Sequence, residues 1–195
     1  MQNSDFGEPM PQRVAVVGTT GAGKTTFGRR LATIIGAKHV ELDALYHGPN
    51  WTPAEPEVFR TRVAEAIACE RWVTDGNYSD ARPLIWRAAD TLVWLDYAFP
   101  RVIWQLTRRT VRRYVRREEL WNGNHENFWG HVLPNDNSLF YWAVKTHWRR
   151  RRTFPEQLGH LEFAHLRVVR LRSPREAARY LSTVGRAANP THPVG

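Results

Sequence analysis

At 195 residues the chain is long enough to bury one core and too short for two full domains. Its one cysteine, Cys69, excludes an intrachain disulfide and a cysteine-built zinc site, and no apolar run reaches the ~20 residues of a membrane-spanning helix. The formal charge of +9 rests on arginine, since all but Lys24, Lys38 and Lys145 of the 28 basic residues are arginines; such a balance suits polyphosphate or nucleic-acid partners.

Residues 1–12 carry neither a basic n-region nor an apolar h-region, so they read as a disordered leader and not as a signal peptide, and the cytoplasm is the expected compartment. The run Arg13–Val17 is β-branched and reads as a buried strand, followed by a helix over 24–36 with Phe27, Leu31 and Ile34 or Ile35 on one face. Next come a strand at 39–42 closed by Asp43, a helix over 54–68, a strand at 71–75 ending in Asp75, and a helix over 79–89. A strand at 91–96 ends in Asp96, and a helix over 99–117 follows with Val102, Ile103, Leu106 and Val111 facing inward. The stretch 118–137, rich in Asn, Gly and His without a clear period, reads as a lid. A helix from about 138 to 152, a strand at 166–171 and a helix over 174–184 complete the domain, and 185–195 reads as a disordered tail. Short β-rich runs separated by helices predict an α/β fold, a parallel sheet covered on both faces. Trp72, Trp86, Trp94 and Trp104 are expected in the core, while Tyr46, Trp51, Trp121 and Trp129 fall in irregular segments where they suit stacking on a ring.

The segment Gly18-Thr19-Thr20-Gly21-Ala22-Gly23-Lys24-Thr25 fits G-x-x-x-x-G-K-[ST] between a strand and a helix, the context that a phosphate-cradling P-loop requires. Glycines let the backbone wrap a triphosphate with its N–H groups inward, and the helix N-terminus, Thr26 included, adds a favourable field. Lys24 supplies a mobile charge at the β/γ-phosphates, and the Thr25 hydroxyl can join a Mg²⁺ shell. Asp75, at a strand's carboxyl end, can hold the water shell of that ion or simply cap a turn. Asp43 can bind an acceptor hydroxyl, act as a base, share the metal, or cap. Asp96 is expected only to end its strand. Among the arginines after it, Arg109, Arg113 and Arg116/Arg117 share one face and Arg101, Arg108 and Arg112 another; Arg149 to Arg152 form a second cluster. The arginines of 101–117 read as a solvated face, as forks reaching over a nucleotide, or as a patch for DNA or RNA backbone. His125 and His131 lack the cysteine partners of a zinc site.

Together these segments resemble the P-loop kinases of the adenylate kinase and shikimate kinase type, and within them the small bacterial adenylate-kinase-like proteins called DNA topology modulation proteins. The resemblance spans about 13–184 and rests on the P-loop, Leu42–Tyr46 with Trp51-Thr52-Pro53, Trp72–Tyr78, Val93–Asp96 with its arginine-rich helix, and Arg170–Pro174. It implies a three-layer fold with a five-stranded parallel sheet in order 2-3-1-4-5, an acceptor region after strand 2, and an arginine-bearing lid. It further implies ATP and Mg²⁺ as cofactors, with Lys24, Asp43, Arg109 and Arg113 as catalytic residues. The loop Gly18–Thr25 with Thr26, Arg108, Arg112 and Arg172 would hold the nucleotide, and Thr25 and Asp75 the metal. Asp75-Gly76 matches the start of the adenylate kinase Asp-Gly-Phe-Pro-Arg segment, but its arginine falls on Ser79, with Arg82 three residues later. AMP is therefore not the expected acceptor, and Asp43 resembles the strand-2 aspartate that holds a hydroxyl acceptor in shikimate-type kinases. The expected activity is transfer of the γ-phosphoryl of ATP to a small-molecule acceptor, with weak, non-specific nucleic-acid binding. The alternative is a nucleotide-dependent DNA- or RNA-binding protein working through its basic face.

Overall fold

Val14 to Val17 are buried on both sides of their strand, which places them at the centre of the sheet. In the computed structural model, which describes residues 9–116 and 139–189, β1 (Arg13–Gly18) pairs in parallel with β3 (Trp72–Asp75) and β4 (Thr91–Leu95). β2 (Lys38–Glu41) lies outside β3 and β5 (Arg167–Leu171) outside β4, so five parallel strands run in the order β2-β3-β1-β4-β5. Central strands covered on both faces carry continuous apolar runs, whereas edge strand β5 alternates and leaves Val168 exposed. The α/β architecture and strand order are those expected from the sequence.

Seven α-helices among the described residues cover the sheet: α1 (Lys24–Ile35), α2 (Leu42–Tyr46), α3 (Pro56–Ala66), α4 (Arg82–Ala88), α5 (Phe99–Arg116), α6 (Leu139–Leu158) and α7 (Pro174–Ala188). The two-residue period of β1 divides them between two cores. Val14 and Val16 face Phe27, Leu31 and Ile35 of α1 and Leu181 and Val184 of α7. Ala15 and Val17 face Phe59 and Val63 of α3, Ile85 and Trp86 of α4, and Phe154 of α6. Register sets the ligand edge: Gly18 lies opposite Leu95, Val16 opposite Asp75, and Asp75 opposite Glu41, so the carboxyl ends of the strands converge beside the loop after β1.

Several expectations change. Trp104 is 51% and Val111 46% exposed, because α5 buries the stripe Val102, Leu106 and Thr110, one turn apart, and both residues lie off it. Trp104 instead carries the guanidinium groups of Arg101 and Arg108 at 4.9 and 5.5 Å from its ring. Leu42 begins a short helix rather than ending a strand, so Asp43 stands in the first turn of α2. The chain is already tied down before residue 13, since the Asp90 carboxylate accepts the N–H groups of Gln12 and Arg13 and Met10 packs on the core. α7 continues to Ala188, past the expected start of the tail, and α6 runs through Pro155 to Leu158. The lid assigned to 118–137, with Trp121, His125, Trp129 and His131, and Arg117 lie outside the described residues, as does the side chain of Arg116.

Candidate active site

The loop from Gly18 to Gly23 is built by contacts that leave its centre concave. The Ala22 N–H donates to the Thr19 carbonyl at 3.0 Å. The Asn77 amide brackets Gly18, accepting from its N–H at 3.2 Å and donating to its carbonyl at 2.6 Å, which ties the loop to the end of β3. Gly21 has φ +88°, and a Cβ there would lie 2.9 Å from Leu106 Cβ and 3.0 Å from the Val102 carbonyl; only glycine lets α5 close on the loop. Thr19, Gly21 and Ala22 are buried, Thr20 and Thr25 half-buried, and Thr26 exposed in the first turn of α1. No side chain caps that helix N-terminus, so its first N–H groups face the loop as ready anion donors.

Lys24 defines the electrostatic centre. Its Nζ donates to the Thr19 carbonyl at 3.4 Å. Burial, with the Arg150 guanidinium next and Arg109 adding to it, pulls its pKa down to about 8, while Asp43 and Asp75 oppose that pull. The fold thus gathers Lys24, Asp43, Asp75 and Arg109 of the residues singled out in the sequence, and adds Arg150 from α6.

Each carboxylate is oriented by a neighbour. Asp75 is buried at the end of β3, and its Oδ2 lies 3.0 Å from His39 Nε2; His39 Nδ1 lies 3.6 Å from Glu41, which pairs with Arg29 at 2.7 Å. Gly28 makes room for this, since a Cβ there would stand 3.1 Å from His39 Nε2. Asp43 accepts the Tyr78 hydroxyl at 2.7 Å, and that hydroxyl is 3.4 Å from His47 Nε2. Around this pair Tyr46, Phe59 and Tyr78 pack within 4.6 to 5.2 Å of one another, and Trp51 meets His47 edge-on. Trp51 and Asn50 both hold positive φ, in a turn closed by the Gly48 N–H on the Thr52 carbonyl.

A cationic cluster stands opposite. Arg82 lines the cleft with Asn77, Tyr78 and Gly76, stacks over Trp86 and Phe154, and donates to Gln157 at 3.0 Å. Arg150 donates to the neutral Thr146 hydroxyl at 2.9 Å. Burial and the charges of Arg149 and Arg82 pull Arg150 down to about 10, and burial with Arg149 also lowers Arg82. Among the described residues no carboxylate is bonded to either guanidinium, a costly arrangement for half-buried charge without an anion. On α5, Arg109 and Arg113 are half-buried on the face toward the loop, whereas Arg108 and Arg112 are exposed. Arg172 is exposed, and its N–H donates to the Glu176 carboxylate in the capping box of α7 at 2.8 Å. Asp96 does more than end its strand. Buried after β4, it accepts Arg151 on Oδ1 at 2.6 Å and two N–H groups of Arg170 on Oδ2 at 2.9 and 2.6 Å, which anchors α6 to the sheet.

Asn77, Tyr78, His39 and Arg150 join the site only in the folded chain. The first two sit beside Asp75-Gly76, and their proximity to the motif was the available signal; Arg150 lay unmarked in a run of four arginines. Ser79, at the expected acceptor-arginine position, is exposed and bonds Asp80 at 3.4 Å. Among the described residues no group of three or more His, Cys, Asp or Glu side chains could hold a metal, so a cation would need phosphate oxygens and water to complete its shell.

The strand order, the loop between β1 and α1, and the cationic edge define the fold of the P-loop kinases. Solved structures of that fold superpose over nearly the whole chain. A gluconokinase from Sinorhizobium meliloti 1021 matches with a TM-score of 0.51 at 18% identity, covering 95% of this chain and 100% of its own. A shikimate kinase from Acinetobacter baumannii, in complex with shikimate, matches with a TM-score of 0.53 at 15% identity, covering 90% and 92%. A shikimate kinase from Bacteroides thetaiotaomicron gives 0.50 at 13% identity, covering 91% and 98%. No family model and no curated protein matches the chain.

Proposed function

We propose that this chain is an ATP-dependent, Mg²⁺-requiring phosphotransferase that phosphorylates a hydroxyl group of a small molecule bearing an acidic group. The observation that carries this reading is the gathering of opposites beside Lys24: Asp43, held by Tyr78, and Arg150 both act on its ammonium, Arg82 lines the cleft with Tyr78, and among the described residues Arg82 and Arg150 bond only neutral partners. A carboxylate suits a hydroxyl, and half-buried guanidinium groups without a carboxylate suit an anion. The gluconokinase and shikimate kinases that share the fold lend support.

In this reading the loop N–H groups and Lys24 bind the β/γ-phosphates, and Arg109 and Arg150 neutralise charge on the transferring phosphoryl. The Thr25 hydroxyl and Asp75 would hold Mg²⁺, which would supply neutralising charge for the polyphosphate. Asp43 receives the hydrogen bond of the acceptor hydroxyl and its proton as the new O–P bond forms and the bond to the β-phosphate oxygen breaks. Arg113, half-buried one turn beyond Arg109, acts with it, and the exposed Arg108, Arg112 and Arg172 stand farther out as nucleotide contacts. AMP is not the preferred acceptor, because Ser79 offers one neutral donor where a forked cation would clamp a phosphate.

The test is ADP release from ATP with a panel of polyhydroxy carboxylic acids, neutral polyols, nucleosides and AMP. Turnover is expected on an acidic hydroxyl compound, and Asp43→Asn should lose about a hundredfold or more. Robust conversion of ATP plus AMP to ADP, insensitive to Asp43→Asn, would overturn the reading.

A further inference from the structure

His147 is only 2% exposed, yet neither the core nor the proposed chemistry explains an imidazole there. It projects from α6 onto the loop after β1, where its Nδ1 lies 3.3 Å from the Thr19 hydroxyl, 128 residues away in sequence. The Phe99 and Trp148 rings enclose it at 5.3 and 4.8 Å. Its Nε2 is buried without a hydrogen-bond partner among the described residues. Thr19 occupies a position that the loop motif leaves free, so phosphate binding does not call for its side chain. Its carbonyl is nevertheless the acceptor on which the Lys24 ammonium rests.

We propose that His147 is a positioning residue of the nucleotide site, holding Thr19, and with it the resting place of Lys24, against α6. This rests on the reading of the loop as an ATP site. On the same face of α6, Arg151 binds Asp96 and Arg150 faces Lys24, so the helix that brings Arg150 to the phosphates is locked to the loop by His147 and to the sheet by Arg151. Either neutral tautomer can make the Thr19 bond. Protonation would bury a second N–H without an acceptor and add a charge beside Arg150 and Arg151. Burial first, then Arg151, lowers the histidine below its ordinary range; Asp96, at the end of β4, opposes this and Arg150 adds to it. The contact therefore belongs to the neutral ring and fails as the pH falls.

The experiment measures ATP affinity of the full chain by calorimetry from about pH 5.5 to 8.5, for wild type, His147→Phe, Thr19→Val, Thr19→Ser and the double variant His147→Phe/Thr19→Val. Each of His147→Phe, which keeps the ring but removes both nitrogens, and Thr19→Val should weaken ATP binding about three- to tenfold at neutral pH, with the double variant no weaker than the worse single. Thr19→Ser, which keeps the hydroxyl, should bind like wild type. The loss of affinity below the ordinary histidine pKa should be steeper in wild type than in His147→Phe, the nucleotide's own titration being common to both. Fully additive losses, or identical acid limbs, would overturn the proposal. If His147→Phe does not fold, the contrast between Thr19→Val and Thr19→Ser decides alone. Wild type that binds no ATP at any pH would overturn the nucleotide reading and this inference with it, whereas ATP binding indifferent to both positions overturns only the inference.

Discussion

The Tyr78 hydroxyl donates to the Asp43 carboxylate at 2.7 Å, joining the turn after β3 to the first turn of α2. Burial, reinforced by the charge of Asp43, pushes the Tyr78 pKa far above its ordinary value, so the phenol remains a donor at every physiological pH. The bond fixes one carboxylate oxygen and leaves the other for a ligand. Tyr78→Phe keeps the ring packed on Tyr46 and Phe59 and loses only this bond, so turnover should fall about three- to tenfold with little loss of stability. Steady-state kinetics beside thermal unfolding checks it; a Phe variant as fast as wild type would remove Tyr78 from the site.

Lys24, with its pKa near 8, should take up a proton when ATP binds in mildly alkaline solution, because the polyphosphate restores the charged ammonium. Affinity should accordingly decline as the pH rises through about 8. Calorimetry at about pH 9 in buffers of different ionisation heat reads the uptake directly. Lys24→Ala should abolish both the uptake and phosphoryl transfer while leaving the fold intact. The same shift makes the free protein gain stability as the pH rises from about 8 toward 10.5, since the unfolded chain holds a proton that the folded one has released. Equal uptake in wild type and Lys24→Ala would assign the proton to another group.

The arginines should separate by position. Arg109→Ala and Arg113→Ala, on the face of α5 toward the loop, should lower kcat more than ATP affinity, whereas exposed Arg108 and Arg112 should tolerate alanine within about twofold. Arg150→Met should be the most telling. It removes a half-buried charge that has no carboxylate partner among the described residues, so thermal stability should hold or rise while turnover falls. Joint loss of stability and turnover would make Arg150 a structural residue.

Asp96 binds two arginines from separate elements, so Asp96→Asn leaves both guanidinium groups against a neutral amide. Arg151 and Arg170 are partly solvated, and the expected cost is about 2 kcal/mol, read as a lower urea midpoint at unchanged m-value. An unchanged midpoint would show that solvent already screens the node.

Binding of duplex DNA or RNA should be weak and lost between low and physiological salt, since the inward arginines face the loop and Arg101 and Arg108 lie over Trp104. Sub-micromolar binding that survives about 0.2 M salt would make the basic face the working surface instead.

Five strands lie close to where the residue pattern puts them, because central parallel strands need uninterrupted apolar runs and the helices between them carry an apolar stripe. The errors share a cause. Val111 and Trp104 are apolar residues on a helix whose buried stripe is set by its neighbours, and the angle at which α5 meets the sheet is not written in its own periodicity. Leu42 continues the β-like pattern that puts Asp43 at a strand end, and only the packing of Leu42 in the core turns the chain into α2.

By itself the sequence determined the α/β alternation and the P-loop with Lys24 and Thr25, because both depend on residues close together in the chain. The tertiary structure alone decided that Arg150 faces Lys24, that Tyr78 holds Asp43, that Arg151 and Arg170 share Asp96, and that His147 reaches Thr19. Those partners come from different elements, and a side-chain pair across such distances exists only once the sheet order and the seating of α5 and α6 have fixed where each side chain ends. A local motif specifies a phosphate cradle; which charges surround it is a property of how the helices pack.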